Sequence, residues 1–154
     1  MSQEDAEEIA SIVSSYLDSY KRIEGDVKWK NKGHPDYIQL KIPIVCPSMP
    51  EIDGQLIMTA HRTRIPHRFS FTIVAGSNRI VGLDVNPASS HFNVRTRKSV
   101  SVTHWQWFPV MDAEADERNL LHLEWFREFC QRTKIEIKVA YAAPPHEPVQ
   151  LDLL

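Results

Sequence analysis

The sequence has few cysteines and no long hydrophobic run. Its two cysteines, Cys46 and Cys130, lie far apart and outside any metal-ligand spacing such as C-x-x-C. We therefore expect two free thiols in a reducing compartment. No apolar stretch approaches the roughly 18 residues that span a bilayer, and the acidic first twenty residues do not resemble a secretory signal. These absences predict a cytoplasmic protein with no membrane partner.

Glycine is also scarce, at 5 residues in 154. None of the glycines belongs to a G-x-G-x-x-G or G-x-x-x-x-G-K-[ST] motif, so the familiar phosphate-cradling loops of nucleotide-binding domains are absent. The H-E-x-x-H spacing of zinc hydrolases and internal repeats are missing as well. The sequence therefore predicts neither a bound cofactor nor a metal centre of familiar spacing.

What the chain does contain is typical of one globular domain. Of its residues, 42% are hydrophobic and 25% are charged, and the formal net charge is -2. This composition excludes disordered and collagen-like chains, and the length suits a domain that buries about two-thirds of its unfolded surface. We expect a single domain over residues 1–143, followed by an extended or disordered tail over residues 144–154.

Hydrophobic periodicity predicts a helix at each end of the domain. Residues 2–5 have the pattern of a capping box, and apolar residues then recur at spacings of three and four up to Tyr20. This pattern indicates a first helix of about five turns. A second change to helical spacing occurs at Asp116, and it predicts a helix that covers the sheet to about Arg132.

Between these helices, apolar and polar residues alternate in short segments, which is the pattern of half-buried strands. The segments lie near residues 38–44, 55–62, 69–73, 81–85 and 100–108, with a last short one at 135–139. Pro43 favours a sheet edge or a bulge, and Gly76–Asn78 is a short hairpin connection that predicts antiparallel pairing of its flanking strands. Consecutive strands between terminal helices predict an α+β domain with a mainly antiparallel sheet.

Large aromatic residues are concentrated in the last long strand segment and in the second helix. In the helix, Leu121, Trp125 and Phe129 form one stripe, which we expect to be buried against the apolar side of the 69–73 strand. Stacking on nucleic-acid bases is the alternative for exposed members. Core packing explains the stripe better, because large aromatic residues dominate the energetics of burial.

The small net charge conceals a strongly basic segment. Residues 61–98 hold seven arginines and lysines against the single acid Asp84, a balance of +6, whereas residues 1–19 and 99–128 are acidic. Such asymmetry is typical of a surface for an acidic partner or for phosphates, and an ordinary solvated sheet face is the alternative. We expect five of the candidate binding residues to converge on one surface, namely Arg62, Arg64, Arg68, Arg95 and Arg97, and Lys98 is the sixth candidate. A pI near 6.4 argues against a dedicated binder of duplex DNA.

One acid and two histidines, Asp84, His91 and His104, form the candidate catalytic group. Asp84 lies near the end of one predicted strand, His91 in the next loop and His104 in the following strand, so a hairpin-like return would bring them together. Paired histidines backed by a carboxylate serve as general acid and base near neutral pH, because an unperturbed imidazole titrates at about 6.5. In this hypothesis Asp84 orients one imidazole, while Arg95 and Arg97 stabilise a phosphate.

The same residues have two other interpretations. Two imidazoles and a carboxylate could hold a divalent metal ion with an open coordination position. Asp84, Asn86 and Asn93 could instead fix the loop through hydrogen bonds from side chain to backbone, with His91 and His104 as ordinary partners. The residues by themselves leave all three interpretations open.

Four short elements between about residues 68 and 137 resemble a bacterial family of small uncharacterised proteins that occur in prophages and genomic islands. The elements are Leu83–Asn86, His91–Asn93, Thr103–His104 and Phe129–Cys130. In that family they correspond to a strand with an Asp near its end, an H-x-N turn, a strand with a T-H element and a helix with an aromatic-Cys end. The family carries a second histidine two residues after the T-H histidine, where this sequence has Gln106. Because some members lie next to antitoxin-like genes, the resemblance implies a toxin-like or phage-linked role.

Two function hypotheses follow. The first is a non-enzymatic binding protein of phage or mobile-element origin, which engages a host or antitoxin-like protein through its basic loop surface. The second is a toxin-like ribonuclease in which His91 and His104 act as general acid and base on RNA. A close approach of the two histidines in an accessible site favours the enzyme, and their dispersal over a flat surface favours the binder.

Overall fold

The computed structural model describes residues 2–25, 29–31, 36–61, 68–87, 90–138, 141 and 144. The predicted tail over residues 144–154 therefore lies, apart from Pro144, outside the described residues. In the first half of the chain the elements are α1 (Gln3–Asp18), β1 (Lys21–Ile23), β2 (Lys30–Asn31), β3 (Tyr37–Ile44), β4 (Gly54–His61), β5 (Phe69–Ala75) and β6 (Asn78–Val85). In the second half they are β7 (His91–Asn93), β8 (Lys98–Val100), β9 (His104–Trp107), β10 (Glu114–Ala115), α2 (His122–Thr133) and β11 (Ile135–Ile137).

The described strands form one large sheet and two small pairs. Seven strands lie in the order β10-β9-β6-β5-β4-β3-β2, and every neighbouring pair in this sheet is antiparallel. Strands β7 and β8 form a separate antiparallel hairpin, and β1 pairs in parallel with β11. With a helix before the sheet and a helix after it, this architecture confirms the predicted α+β class and the mainly antiparallel sheet.

The strand predictions hold better for the central strands than for the connections. Among the described residues, β2 pairs with Ile38 and Gln39 of β3 and not with Pro43, so the described pairing on that side needs no N–H from the proline. The loop expected between residues 87 and 99 contains β7 and part of β8. The strand expected over residues 100–108 is wrong at its start, because the chain bends at residues 102–103 before β9 begins.

Helix α1 has the predicted start. The Ser2 hydroxyl accepts a hydrogen bond from the Asp5 backbone N–H at 3.1 Å, and the Asp5 carboxylate accepts one from the Ser2 backbone N–H at 3.4 Å, which completes a capping box. At its other end the fully buried Lys21 ammonium donates to the carbonyls of Tyr16, Leu17 and Ser19. These carbonyls satisfy the buried cation where the helix dipole is negative.

Helix α2 begins six residues later than its periodicity predicts, at His122 and not at Asp116. The segment before it is extended because the Asp116 carboxylate accepts hydrogen bonds from the Trp105 indole N–H at 3.1 Å and from the Arg118 guanidinium. Leu121 is consequently the N-cap residue with 67% of its surface exposed, so its predicted burial is wrong. Neither α1 nor α2 is long and apolar enough to cross a membrane, and the described residues contain no other helix.

The large sheet has one apolar face and one polar face. Leu56, Phe71 and Leu83 lie on the apolar face, are fully buried, and pack against the side of α2 that carries Trp125 and Phe129. Successive residues of a strand point to opposite sides, so the residues between them form the second face. That face is not covered by α2, and it carries the polar residues considered below.

A β-bulge in β6 interrupts this alternation. Ile73 of β5 lies opposite Val81, but the next residue, Val74, lies opposite Arg79, so Ile80 is an extra residue on β6. Both Ile80 and Val81 are fully buried as a result. By strict alternation Arg79 would share the apolar face with Val81, and the bulge moves it to the polar face.

The first residue of α2, His122, is a buried histidine in an aromatic environment. Its ring lies 4.4 Å from that of Phe69 between centroids, its Nε2 is hydrogen bonded to the Tyr141 hydroxyl, and its Nδ1 has no hydrogen-bond partner in the described structure. Burial lowers the pKa of His122 to about 4. The unfolded chain therefore protonates this ring once the pH falls below its ordinary pKa, whereas the folded protein keeps the ring neutral to a lower pH.

We expect this histidine to make the fold acid-sensitive. At a pH between the unfolded pKa of about 6.5 and the lower folded pKa, the unfolded state binds one more proton than the folded state. The free energy of unfolding therefore falls as the pH falls through this window, by about 2 kcal/mol between pH 7.5 and 5. Denaturant titrations at the two pH values measure it. A His122→Phe variant should lose most of this difference, and an equally steep loss in that variant would contradict the assignment.

Candidate functional site

The polar face of the sheet contains a cavity of about 400 Å³. The cavity lies where strands β4, β5, β6 and β9 of the large sheet meet the start of the β7–β8 hairpin. Its lining residues are Tyr37, Thr59, Arg68, Phe69, Ser70, Arg79, Asp84, Val85, Pro87, Ser90, His91, His104 and Gln106. All three members of the candidate catalytic group, Asp84, His91 and His104, therefore line the same cavity.

Sheet register explains why several of these side chains meet. Thr59 lies opposite Ser70, Ser70 opposite Asp84, and Asp84 opposite His104, so one row of polar residues crosses β4, β5, β6 and β9. Directly opposed residues of antiparallel strands project to the same side of the sheet. The row thus places two hydroxyls, a carboxylate and an imidazole side by side on the polar face.

His104 is held at both of its ring nitrogens. Nδ1 lies 2.8 Å from the Val102 carbonyl oxygen, and Nε2 lies 3.2 Å from an Asp84 carboxylate oxygen. A carbonyl only accepts hydrogen bonds, so Nδ1 must carry a proton, and an ionised carboxylate requires a second proton on Nε2. The hydrogen bond to Asp84 accordingly raises the pKa of His104 above its ordinary value, although burial opposes the shift. The geometry favours an imidazolium cation with only 2% of its surface exposed.

Asp84 is the anionic centre of the pocket. Burial by itself raises the pKa of this carboxyl, but the hydrogen bond from His104 and the positive charge of Arg79 outweigh it and hold the pKa below its usual range. One guanidinium nitrogen of Arg79 lies 3.6 Å from the Asp84 carboxylate. The carboxylate therefore faces two cations and stays ionised near neutral pH.

Arg79 reaches Asp84 by crossing Gly82. A Cβ built on Gly82 would lie 1.9 Å from a guanidinium nitrogen of Arg79, so the missing side chain leaves the space that the guanidinium fills. A second arginine, Arg68, lines the same cavity and is held by a 3.1 Å hydrogen bond from its Nε to the Asn86 carbonyl. The missing side chain of Gly82 therefore leaves room for Arg79, and the Asn86 carbonyl holds Arg68.

His91 is contributed by β7, which lies outside the large sheet. The centroids of the His91 and His104 rings are 6.2 Å apart. The Gln106 side-chain nitrogen donates to the Met111 carbonyl at 2.9 Å and lies 3.2 Å from His91 Nδ1, so this amide contacts the imidazole ring. Gln106 stands where the resembled family carries its second histidine, and it contacts the first histidine of the pocket.

The structure separates the predicted binding residues into two groups. Arg68 lines the cavity, whereas Arg95, Arg97 and Lys98 lie in and just after the turn of the β7–β8 hairpin and are exposed. The remaining two, at positions 62 and 64, are outside the described residues. Among the described residues, the arginines that line the cavity are Arg68 and Arg79, whereas the sequence hypothesis assigns phosphate binding to Arg95 and Arg97.

Of the two asparagines, Asn93 uses its side chain to hold the backbone, which is the structural alternative, whereas the hydrogen bonds described for Asn86 involve its backbone. Asn93 donates to the Ala113 carbonyl at 2.9 Å and accepts from the Ala113 backbone N–H at 2.7 Å, which fastens the hairpin to the chain that follows β9. Asn86 has a positive φ of 48° and its backbone N–H donates to the Thr103 hydroxyl at 3.1 Å. Neither residue lines the cavity.

Sequence reasoning missed several residues of the pocket. Thr59 and Ser70 each lie on the same face of their strand as other polar residues. Pairing the predicted strands in antiparallel register would have placed Ser70 next to Asp84. Arg79 has no comparable signal, because strict alternation assigns it to the apolar face and only the bulge in β6 reverses that assignment. Gln106 was noted only as a difference from the resembled family.

Metal ligation receives no support from the arrangement of the described side chains. Within residues 2–25, 29–31, 36–61, 68–87 and 90–138, no three histidine, cysteine, aspartate or glutamate side chains come close enough to hold an ion. Both cysteines, Cys46 and Cys130, are buried and unpaired with each other. The groups that the described lining of the pocket supplies for chemistry include two imidazoles, a carboxylate and two guanidinium groups.

The fold and the pocket define a class: an α+β domain in which one face of an antiparallel sheet packs on helices and the other carries a polar, two-histidine cavity. Comparison with known proteins does not narrow this class. No family model, no curated protein and no solved structure matches the chain. Function is therefore argued from the side chains of the site.

Proposed function

We propose that this protein is a ribonuclease that cleaves a phosphodiester bond of RNA in the polar pocket. One observation carries the proposal: His91 and His104, with ring centroids 6.2 Å apart, line one cavity together with Arg68 and Arg79. Two imidazoles at this separation are able to flank one phosphate group, one on the attacking side and one on the leaving side. Two guanidinium groups supply the charge that a phosphate requires.

The proposed reaction uses the 2′-hydroxyl of the substrate as the nucleophile. His91 accepts the hydroxyl proton as the oxygen attacks phosphorus, and the bond to the 5′-oxygen breaks to leave a 2′,3′-cyclic phosphate. His104 donates its Nε2 proton to the departing 5′-oxygen. The transferred proton and the leaving group balance, so no metal ion or co-reactant is required.

Asp84 has a defined part in this reaction. It keeps the donor proton on His104 Nε2, because an ionised carboxylate stabilises the imidazolium form. Both nitrogens of His104 already have partners, so the proton must move away from Asp84 to reach the substrate. A leaving alkoxide is far more basic than the imidazole that gives up the proton, and this difference drives the transfer.

The pocket supports an enzyme over a non-enzymatic binder of a host protein. The binding hypothesis requires the basic and imidazole groups to be spread over a flat surface, whereas the proposed catalytic groups line a cavity. Cleavage of RNA in the cytoplasm would also give a protein of phage or mobile-element origin the toxin-like role that the resemblance implies. Binding of a host or antitoxin-like protein stays a separate proposal, and the hairpin experiments below address it.

The proposal is tested with a labelled single-stranded RNA oligonucleotide and a matched oligonucleotide carrying 2′-O-methyl groups. We expect cleavage of the first substrate to products with 2′,3′-cyclic phosphate and 5′-hydroxyl ends, identified by mass spectrometry. The second substrate should stay intact because its nucleophile is blocked. Failure to cleave the unmodified RNA, or equal cleavage of the methylated RNA, would contradict the proposed reaction.

A glycine substitution tests the placement of Arg79 without removing any polar group. In Gly82→Ala the new methyl group displaces the guanidinium from Asp84, and we expect binding of inorganic phosphate to weaken about 10-fold or more, as when a charge-assisted hydrogen bond is lost. Isothermal titration calorimetry measures the change. Adding Gly82→Ala to Arg79→Ala should cause no further loss, because both changes remove the same contact.

The matched control for this experiment is Gly25→Ala. The nearest atom to a Cβ at Gly25 is a methyl carbon of Ile42 at 3.5 Å, which is ordinary van der Waals contact, and Gly25 does not line the cavity. Phosphate affinity should be unchanged in this control. Equal weakening in both variants would show that the loss arises from a general effect of the substitution and not from Arg79.

A further inference from the structure

We propose that the β7–β8 hairpin is a docking platform for single-stranded RNA, on which Phe92 stacks with a base beyond the two nucleosides that flank the phosphodiester in the pocket, while Arg95, Arg97 and Lys98 contact the neighbouring phosphates. The inference rests on the proposed function, since it names the form of RNA that the pocket receives. It concerns a surface outside the cavity, and it is tested by binding as well as by cleavage.

The hairpin joins the pocket to the outer surface of the protein. His91 and Phe92 are consecutive residues of β7, so their side chains point to opposite sides of the hairpin. His91 lines the cavity, and Phe92 is 55% exposed on the outer side. Phe92 therefore lies on the side of β7 that faces away from the cavity, and a strand of RNA reaches it by crossing the edge of the hairpin next to His91.

Phe92 is suitable as a stacking platform because its cross-strand neighbour is small. It lies opposite Ser99 of β8, and Ser99 is also exposed, so this neighbour leaves the aromatic ring uncovered. An exposed phenylalanine contributes little to the stability of the fold, whereas stacking on bases is the main sequence-tolerant contact in proteins that bind single strands. Double-stranded RNA does not offer unstacked bases to such a ring.

The turn of the hairpin supplies the charge. Residues 91–100 contain Arg95, Arg97 and Lys98 and not one aspartate or glutamate. All three cations are exposed, and within the described part of the chain none has an ion-pair partner. Charge complementarity thus favours a polyanion over a neutral or basic partner.

The platform is also held rigidly. The Arg97 backbone N–H donates to the Asn93 carbonyl at 2.8 Å across the turn, and the Asn93 side chain is fastened to Ala113 by two hydrogen bonds. Arg97 has a positive φ of 54°, which fixes the direction in which the chain returns into β8. A surface ordered in advance loses little conformational freedom when a ligand binds.

Binding is measured by fluorescence anisotropy with a labelled 2′-O-methyl RNA 12-mer, which the proposed reaction leaves uncleaved. We expect Phe92→Ala to weaken binding about 5- to 100-fold through the loss of one stacked base. In Arg95→Ala/Arg97→Ala, the slope of log affinity against log salt concentration should fall by about 1.4, since each phosphate contact of a single strand contributes about 0.7.

The controls are an exposed arginine and an exposed leucine on α2, which packs on the opposite face of the sheet. Arg127→Ala and Leu123→Ala should leave both the affinity and the salt dependence unchanged. Unaltered RNA binding in the hairpin variants would overturn the proposal. Loss of binding to an acidic protein partner, with RNA binding intact, would overturn it as well and would assign the hairpin to the protein-binding hypothesis.

Cleavage of a dinucleoside monophosphate separates this proposal from the proposed function. Such a substrate lacks the further nucleotide whose base stacks on Phe92, so Phe92→Ala should cleave it at the normal rate and cleave a 12-mer RNA more slowly. If no RNA is cleaved by the wild type but the hairpin variants still lose binding, the ribonuclease proposal fails and the platform stands. If both substrates are cleaved at normal rates by the variants, the platform fails and the ribonuclease proposal stands.

Discussion

Replacing His104 by alanine is expected to lower the rate of RNA cleavage about 100- to 10,000-fold, the usual contribution of a positioned proton donor. The loss should be similar for His91→Ala, because attack and departure each require one proton transfer. Single-turnover cleavage of an RNA oligonucleotide measures the rate, and a thermal melt of each variant checks that it is folded. A folded double variant that cleaves RNA undiminished would eliminate this catalytic assignment.

The pH dependence of cleavage distinguishes a proton donor from a residue that only supports the loop. His104 donates only when protonated, so activity should fall as the pH rises through its pKa, which Asp84 raises above the ordinary value. In Asp84→Asn the neutral amide no longer stabilises the imidazolium, and this alkaline limb should move to lower pH. A limb that stays at the same pH would mean that another group donates the proton.

His122→Phe is the matched control for the histidine variants. His122 is also a buried histidine, but it packs with Phe69 and Tyr141 on the apolar side of the sheet and does not line the cavity. Its replacement should leave cleavage at pH 7 unchanged. A general effect of losing a buried imidazole would instead reduce activity in all three variants.

Phe129→Ala is expected to destabilise the fold by about 3 to 5 kcal/mol. The Phe129 ring is fully buried, with its centroid 5.6 Å from that of Phe71 and stacked 5.9 Å from that of Trp105. Truncation removes the favourable burial of the ring and leaves a cavity between α2 and the sheet. Denaturant titration at constant pH measures the change in the free energy of unfolding.

Leu121→Ala is the control from the same helix stripe. Leu121 is 67% exposed at the helix N-cap, so its truncation should change the free energy of unfolding by no more than about 0.5 kcal/mol. The sequence pattern predicts that Leu121 and Phe129 are both buried, whereas in the structure only Phe129 of these two is buried. Equal destabilisation by the two changes would contradict the observed start of α2.

The α+β class and the central strands were predictable because side-chain alternation and helical spacing are local properties of the chain. The capping box at residues 2–5 and the hairpin around Gly76 also depend only on neighbouring residues. The predicted starts of α2 and β9 were less accurate. Their positions depend on the contacts of Asp116 with Trp105, eleven residues earlier in the chain, and no local pattern encodes that contact.

The sequence by itself determined the candidate catalytic residues of this protein, because Asp84, His91 and His104 were identified from their residue types and positions along the chain, and all three line the cavity. Only the tertiary structure decided how they are arranged. Strand register placed Asp84 beside His104, and the bulge in β6 turned Arg79 toward both of them. Register and bulges depend on pairing between distant strands, where a shift of one residue moves every side chain to the other face, so spacing along the chain does not specify them.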